Sequence, residues 1–130
     1  MGNALKRRLL SFNDNIVEIN SDQDITLSET FDHLAQERID HIFHLAGKTF
    51  VPKSWETPKV FYETNVMGTV NVLEYCRKKV IPLTYVSAYL YGLPKSLPTS
   101  EEAGIQPNNP YAHSKYLRSE ERRVGKECRL

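Results

Sequence analysis

Apolar residues recur along this chain at helical spacing in several separate segments. In the longest segment, Val66, Val70 and Leu73 follow one another at intervals of four and three residues, which predicts one buried helical stripe. Pro58 favours the first turn of that helix, and Ser28 is the predicted cap of a shorter one. The predicted helices cover residues 3–11, a segment that begins at Ser28, residues 58–79 and a segment that begins at about Tyr111.

Three short apolar runs between the helical segments indicate buried strands. They cover residues 16–19, 39–46 and 81–87. Because these runs are almost continuously apolar and alternate with helices, they predict an α/β domain with a parallel sheet covered on both faces. Ligands of such sheets bind beyond the carboxyl ends of the strands, which makes the polar segments 20–25, 46–49 and 87–92 candidate binding segments. Strand ends are polar in many proteins, so this pattern alone leaves the function open.

The composition is that of an ordinary globular domain. The 130 residues suffice for one domain, and 17 Lys and Arg against 16 Asp and Glu give a formal net charge of +1. This balance argues against binding to nucleic acid or a membrane surface, and no apolar run approaches the roughly 20 residues that cross a bilayer. Cys76 and Cys128 predict free thiols in a reducing cytoplasm. The four scattered histidines give no reason to expect a metal.

Tyr111 and Lys115 form the sharpest chemical pattern in the sequence. Residues four apart on a helix lie on one face, so the ammonium group of Lys115 is expected close to the phenol of Tyr111. A nearby positive charge favours the phenolate and is expected to lower the pKa of Tyr111 from its ordinary value of about 10. Such a tyrosine can take a proton from a hydroxyl group while hydride leaves the adjacent carbon. In isolation, a Tyr and a Lys at this spacing are more often a surface pair.

Four motifs around this pair carry a resemblance to a known family. They are HIFHLAG from His41, NVMGT from Asn65, TYVSAYLYG from Thr84 and NNPYAHSKY from Asn108. In this order and at these spacings, residues 2–117 resemble the extended short-chain dehydrogenases/reductases. The likeness is to their NAD-dependent epimerase/dehydratase branch, which includes UDP-glucose 4-epimerases and dTDP-4-dehydrorhamnose reductases. The resemblance implies a Rossmann-like, doubly wound parallel sheet.

The resemblance also implies catalytic roles for four residues. Ser87 falls where the family has the Ser or Thr that hydrogen-bonds the reacting oxygen. Tyr111 falls at the general acid/base, and Lys115 at its partner, which in the family also holds the nicotinamide ribose. Asn65 falls at a helix asparagine associated with the active site, where its role is more structural than chemical.

The implied cofactor is NAD. Gly2 resembles the third glycine of the family's G-x-x-G-x-x-G turn, which allows close packing between helix and strand. Asn20 falls where an acidic residue usually binds the adenosine ribose, and no Arg follows it to receive a 2′-phosphate, which favours NAD and leaves NADP as the alternative. Asn20 and Asp24 are equally compatible with simple turns. The implied cofactor contacts are Gly2, Asn20, Asp24, Ile25, Leu45, Ala46, Gly47, Thr49, Tyr111 and Lys115.

The resemblance predicts an incomplete domain. Residues 1–117 are expected to form a partial NAD(P)-binding Rossmann domain, since the family's first strand and first two glycines have no counterpart here. Residues 118–130, RSEERRVGKECRL, resemble the translation of a sequencing-library adapter and are predicted to be a non-native tail, with a charged native helix as the alternative. The family's sugar-nucleotide site lies beyond this point, so the sequence does not identify the sugar.

Two functional hypotheses follow from the resemblance. The first is an NAD-dependent sugar-nucleotide epimerase, dehydratase or reductase that uses Ser87, Tyr111 and Lys115, with this 130-residue chain expected to be inactive by itself. The second is a non-catalytic NAD(P)-binding regulatory module of the same superfamily. Relatives commonly dimerise through the helix of residues 58–79 and the helix at Tyr111, so a homodimer of the full-length protein is a further expectation.

Overall fold

The computed structural model describes residues 2–94, 96–100 and 102–117, so the predicted tail at 118–130 lies outside the described residues. The elements are short, and longer connections precede the 3-10 helix and helix α5. In chain order they are helix α1 (Gly2–Leu10), a 3-10 helix (Ser28–Leu34), strand β1 (Ile42–His44), α2 (Val51–Glu56), α3 (Pro58–Tyr62), a π-helical turn (Glu63–Met67), α4 (Gly68–Lys79), strand β2 (Leu83–Tyr85) and helix α5 (residues 110–117).

The two strands pair in parallel, with Ile42 opposite Leu83 and His44 opposite Tyr85. This arrangement confirms the strands predicted within 39–46 and 81–87, although both are shorter than expected. The strand predicted at 16–19 is wrong, because these residues adopt no regular structure. A strand exists only through its ladder of hydrogen bonds, and no described strand lies beside this run to supply one.

The long helix predicted at 58–79 is present as α3, the π-helical turn and α4, which follow one another without a break. Its predicted buried stripe is wrong in detail, since Val66, Val70 and Leu73 are only half-buried. The prediction followed the most apolar residues, whereas packing selects the face that meets β1 and the segment around Ile25. The buried residues of the three segments are Phe61, Asn65, Gly68, Thr69, Val72 and Cys76.

The 3-10 helix begins without the predicted serine cap. Leu27 occupies the cap position and makes no side-chain capping hydrogen bond, while the Ser28 hydroxyl donates to the carboxylate of Glu29. The helix nevertheless buries Phe31 and Leu34. The helix predicted at 3–11 is also present, yet none of its residues is buried within the described part of the chain.

The hydrophobic core lies between the 3-10 helix, α4 and one face of the sheet. Its centre is formed by Ile25, Phe31, Leu34, Val72 and Cys76, against which Ile42 and Leu83 of the two strands pack. The rings of Phe31 and Tyr75 stack with their centroids 5.6 Å apart. This core fixes the two strands against α4 and so defines the sheet end at which the candidate site lies.

Within residues 2–94, 96–100 and 102–117, no helix combines the length and the apolar character that a membrane span requires.

Candidate active site

Asn65 links the segment that follows β1 to helix α5. The backbone N–H of Lys48 donates to Asn65 Oδ1 over 2.8 Å, and Asn65 Nδ2 donates to the Lys48 carbonyl over 3.1 Å. The same Nδ2 also donates to Ser114 Oγ over 2.9 Å. Asn65 is 1% exposed, so its amide group is held by these partners in place of water. One buried side chain therefore connects three elements.

Helix α5 presents Tyr111 and Lys115 from one face. Asn109 Oδ1 accepts the N–H of Ala112 at 2.8 Å, which caps the first turn, and Pro110 occupies a position where no N–H is needed. Ser114 Oγ donates to the carbonyl of Tyr111 over 2.7 Å. Since Ser114 also accepts from Asn65, the turn that carries Tyr111 is tied to the buried asparagine.

Tyr111 and Lys115 lie together in a closely packed setting, as the sequence predicted. Each is 4% exposed, and the Lys115 ammonium nitrogen lies 5.7 Å from the centroid of the Tyr111 ring. The ring of Tyr111 also makes edge contacts with Phe61 and Tyr89, at centroid distances of 6.5 and 5.7 Å. In such surroundings the interaction of an ammonium group with a phenol is much less screened than in water.

Ser87 stands two residues beyond the end of β2 and is exposed. The residue two positions further on, Tyr89, contacts the ring of Tyr111, and this contact holds the strand end that bears Ser87 against α5. Tyr89 adopts a positive φ of 64°, an uncommon conformation for a residue with a Cβ atom. The structure thus brings Tyr111 and Lys115 together and links Asn65 to their helix through Ser114, and Ser87 lies in the chain between Tyr85 and Tyr89, which both contact α5.

Asp24 and Ile25, two of the predicted cofactor contacts, lie near Lys48 of the segment that follows β1. Asp24 Oδ1 accepts the N–H of Thr26 at 2.9 Å, and this hydrogen bond, with the more distant charge of Lys48, holds the pKa of Asp24 below its usual range. Asn71 Nδ2 on α4 donates to the carbonyls of Ile25 and Thr26, over 3.0 and 2.8 Å. Because Lys48 is also bonded to Asn65, the two predicted cofactor segments adjoin the Tyr111 cluster.

The other predicted cofactor residues have diverse settings. Asn20 lies in an exposed turn closed by Gln23, and the Ile25 side chain belongs to the core, which leaves only its backbone to face a ligand. Gly47 adopts a φ of 154°, which favours glycine. A Cβ atom at Gly2 would meet nothing within 4 Å, so the described residues give no steric reason for a glycine there. Three residues that flank Gly47 after β1 are half-buried or exposed: Leu45, Ala46 and Thr49.

Several supporting residues escaped the sequence analysis. Ser114 lies inside the quoted NNPYAHSKY motif, but only the structure shows that it joins Asn65 to Tyr111. Gly68 could have been found, because a glycine inside a helix costs about 1 kcal/mol and so indicates close packing.

Buried His44 is bonded through Nε2 to Thr69 Oγ1 at 2.9 Å. Burial raises the pKa of the Cys76 thiol to about 11, which makes it a poor nucleophile.

Comparison with known proteins identifies the family of the chain. A family model described as GDP-mannose 4,6 dehydratase matches residues 10–121. UDP-glucose 4-epimerase 2 from Oryza sativa subsp. japonica is 42% identical over 88 residues, which are 64% of this chain and 21% of the relative. The chain therefore spans about a fifth of the length of that relative.

Two solved structures show the same fold. The UDP-glucose 4-epimerase from Bifidobacterium longum in complex with NAD+ and UDP is 26% identical with a TM-score of 0.79, and the match covers 97% of this chain and 38% of that one. RMD from Pseudomonas aeruginosa complexed with NADPH is 27% identical with a TM-score of 0.74, and the match covers 88% and 42%. The predicted Rossmann-like α/β class is confirmed. The chain belongs to the NAD-dependent epimerase/dehydratase family of the short-chain dehydrogenases/reductases.

Proposed function

We propose that the full-length protein containing this chain is a nicotinamide-dependent epimerase that acts on a nucleotide sugar of the UDP-hexose class. The observation that carries the proposal is the buried pair of Tyr111 and Lys115, held against the end of β2. Epimerase chemistry is favoured over dehydration or net reduction because the rice relative is a UDP-glucose 4-epimerase.

The residues at the site fit a dinucleotide cofactor. Asp24 carries an exposed carboxylate that its hydrogen bond to Thr26 keeps ionised and oriented, and such a carboxylate can accept hydrogen bonds from a cofactor. Gly47 follows β1 with a backbone conformation that suits glycine, which lets a ligand approach the main chain closely. When bound, the nicotinamide ring supplies the chemistry of accepting and returning a hydride. NAD is the proposed form, by analogy with the Bifidobacterium longum enzyme.

The residues of the chain have distinct tasks in the proposed reaction. Tyr111, as phenolate, takes the proton from a sugar hydroxyl while hydride leaves the same carbon, and returns a proton to that oxygen when hydride comes back to the opposite face. Lys115 favours the phenolate by its charge and contributes to binding the nicotinamide ribose. Ser87 donates a hydrogen bond to the reacting oxygen. Asn65 holds the segments of Lys48 and Ser114 in place and does not itself touch the substrate.

The decisive substitution is Tyr111→Phe in the full-length protein, with Tyr116→Phe on the same helix as the matched control. Loss of the hydroxyl removes the proton carrier, so kcat with UDP-glucose or UDP-galactose is expected to fall by about 10²–10⁴-fold. NAD affinity, measured by fluorescence titration, is expected to stay within about twofold, since most of the binding energy comes from the dinucleotide. The control variant keeps its turnover.

Two results would argue against this proposal, and a third would change only its cofactor. Turnover retained by Tyr111→Phe would remove the tyrosine from the mechanism. A wild-type protein that binds NAD but converts no UDP-hexose would favour the regulatory-module hypothesis. A preference for NADPH over NADH in the titration would replace the proposed cofactor form and leave the reaction unaffected.

A further inference from the structure

Tyr85, the last residue of β2, makes a contact to helix α5 that the proposed mechanism does not use. Its phenolic hydroxyl donates a hydrogen bond of 3.1 Å to the backbone carbonyl of Lys115. The two residues are 30 positions apart in the chain, and the side chain of Tyr85 is half-buried. The bond thus crosses from the end of the sheet to the helix that bears the proposed acid/base.

The carbonyl of Tyr111 is held in a parallel way. Ser114 Oγ donates to it over 2.7 Å and in turn accepts a hydrogen bond from Asn65. Both residues of the proposed catalytic pair therefore have their own carbonyl bound by a side-chain hydroxyl, one from within α5 and one from β2. Together the two bonds fix the two ends of a single helical turn.

The Tyr85 ring is itself supported from the interior. Buried His44 lies in the opposite register position on β1, with its ring centroid 6.3 Å from that of Tyr85. His44 is bonded to Thr69 Oγ1, which donates to the carbonyl of Asn65 over 2.7 Å. A hydroxyl on a supported aromatic ring loses little conformational entropy when it binds a carbonyl. This bond is therefore suited to fixing the position of α5 relative to the end of β2.

We propose that Tyr85 is a positioning residue that fixes the Tyr111–Lys115 turn of α5 relative to the end of β2. The inference rests on the proposed function and deepens it. Ser87 is two residues beyond Tyr85 on the same strand end, so one hydrogen bond sets the spacing between the proposed hydroxyl donor and the proposed proton carrier. The geometry of reacting groups is worth large factors in rate, since a displacement of about 1 Å can cost about 10²-fold.

The test is Tyr85→Phe in the full-length protein, which removes one oxygen and keeps the ring. Tyr62→Phe is the matched control, because the Tyr62 hydroxyl also bonds α5, at His113 Nδ1 over 2.9 Å, but engages no carbonyl of the catalytic pair. Tyr85→Phe is expected to lower kcat by about 5- to 30-fold, with KM and NAD affinity within about twofold of wild type. The control is expected to change kcat by less than about twofold. Amide hydrogen exchange of residues 112–117 is expected to accelerate in Tyr85→Phe and not in the control.

Each outcome decides the proposal. If wild type is active and Tyr85→Phe has an unchanged kcat, the proposal is overturned. It is also overturned if Tyr62→Phe loses as much kcat, or if KM changes by the same factor as kcat. If wild type converts no nucleotide sugar, the proposed function fails on its own terms. Equal exchange rates in Tyr85→Phe and the control would then also exclude a positioning bond, whereas selective acceleration would retain it.

Discussion

Among single residues, Asn65 shows how a polar group becomes part of a core. Its amide satisfies both backbone groups of Lys48 and the hydroxyl of Ser114, so burying it leaves no polar atom of the side chain without a partner. A leucine of similar volume would leave the N–H and carbonyl of Lys48 unpaired. The chemistry of the site thus explains why a polar residue occupies the buried face of the long helix.

We expect Asn65→Ala to destabilise the full-length protein by about 1–3 kcal/mol, because it leaves buried donors and acceptors without hydrogen-bond partners. It should also lower kcat, since Ser114 loses the partner that ties the Tyr111 turn to the interior. Urea unfolding and steady-state kinetics measure the two effects. Asn71→Ala is the control: it removes two side-chain hydrogen bonds, to Ile25 and Thr26, against three in Asn65→Ala, and should spare kcat at saturating NAD. A similar loss of kcat in both variants would refute the role given to Asn65.

Among the helices, α4 shows how a glycine, which has no side chain, allows a helix to pack closely against a neighbouring segment. A Cβ atom at Gly68 would stand 2.7 Å from both Cγ1 and Cδ1 of Ile25, closer than atoms in contact allow. Ile25 is itself buried in the core, so its side chain has little room to turn aside. The glycine therefore lets α4 lie directly against the segment that contains Asp24.

Gly68→Ala is expected to lower the free energy of unfolding by up to about 2 kcal/mol, because overpacking of about 1–3 kcal/mol opposes the gain of about 1 kcal/mol in helix propensity. Ile25→Val removes the Cδ1 atom and should recover part of the loss in the double variant. A double-mutant cycle measured by urea unfolding tests this coupling. If Gly68→Ala is more stable than wild type, the close approach is not sterically required.

The same helices and strands show what a sequence can predict and what it cannot. The long helix and the two paired strands follow from local periodicity, which is visible residue by residue. The run at 16–19 has strand composition, yet strands depend on partners that composition does not specify. Tyr111, Lys115 and Asn65 were found through motifs. The bonds from Tyr85 and Ser114 to the carbonyls of Lys115 and Tyr111 join a strand end to a helix and depend on tertiary packing.

In the molecule as a whole, the residues around Tyr111 are buried and bonded to one another, whereas the two-stranded sheet is packed on one face only. One face of the two-stranded sheet packs on the core through Ile42 and Leu83, whereas Phe43 on the other face is 39% exposed. Further large apolar side chains are exposed on the described surface, among them Phe12, Phe50, Trp55, Val60 and Met67. Such exposed apolar side chains offer surface on which a further packing partner can bind.

We therefore expect the 130-residue polypeptide, expressed alone, to show no heat of NAD binding in calorimetry at concentrations up to roughly 1 mM. It should also enhance the fluorescence of a hydrophobic dye, since its uncovered apolar face offers binding surface that a covered sheet lacks. The full-length protein is the control, with NAD binding and little dye fluorescence. Replacing Phe43 by Thr in the polypeptide should reduce the dye signal, because this residue lies on the uncovered face. An affinity for NAD near 1 μM in the polypeptide alone would show that residues 2–117 suffice to hold the cofactor, and that the exposed sheet face does not limit the site.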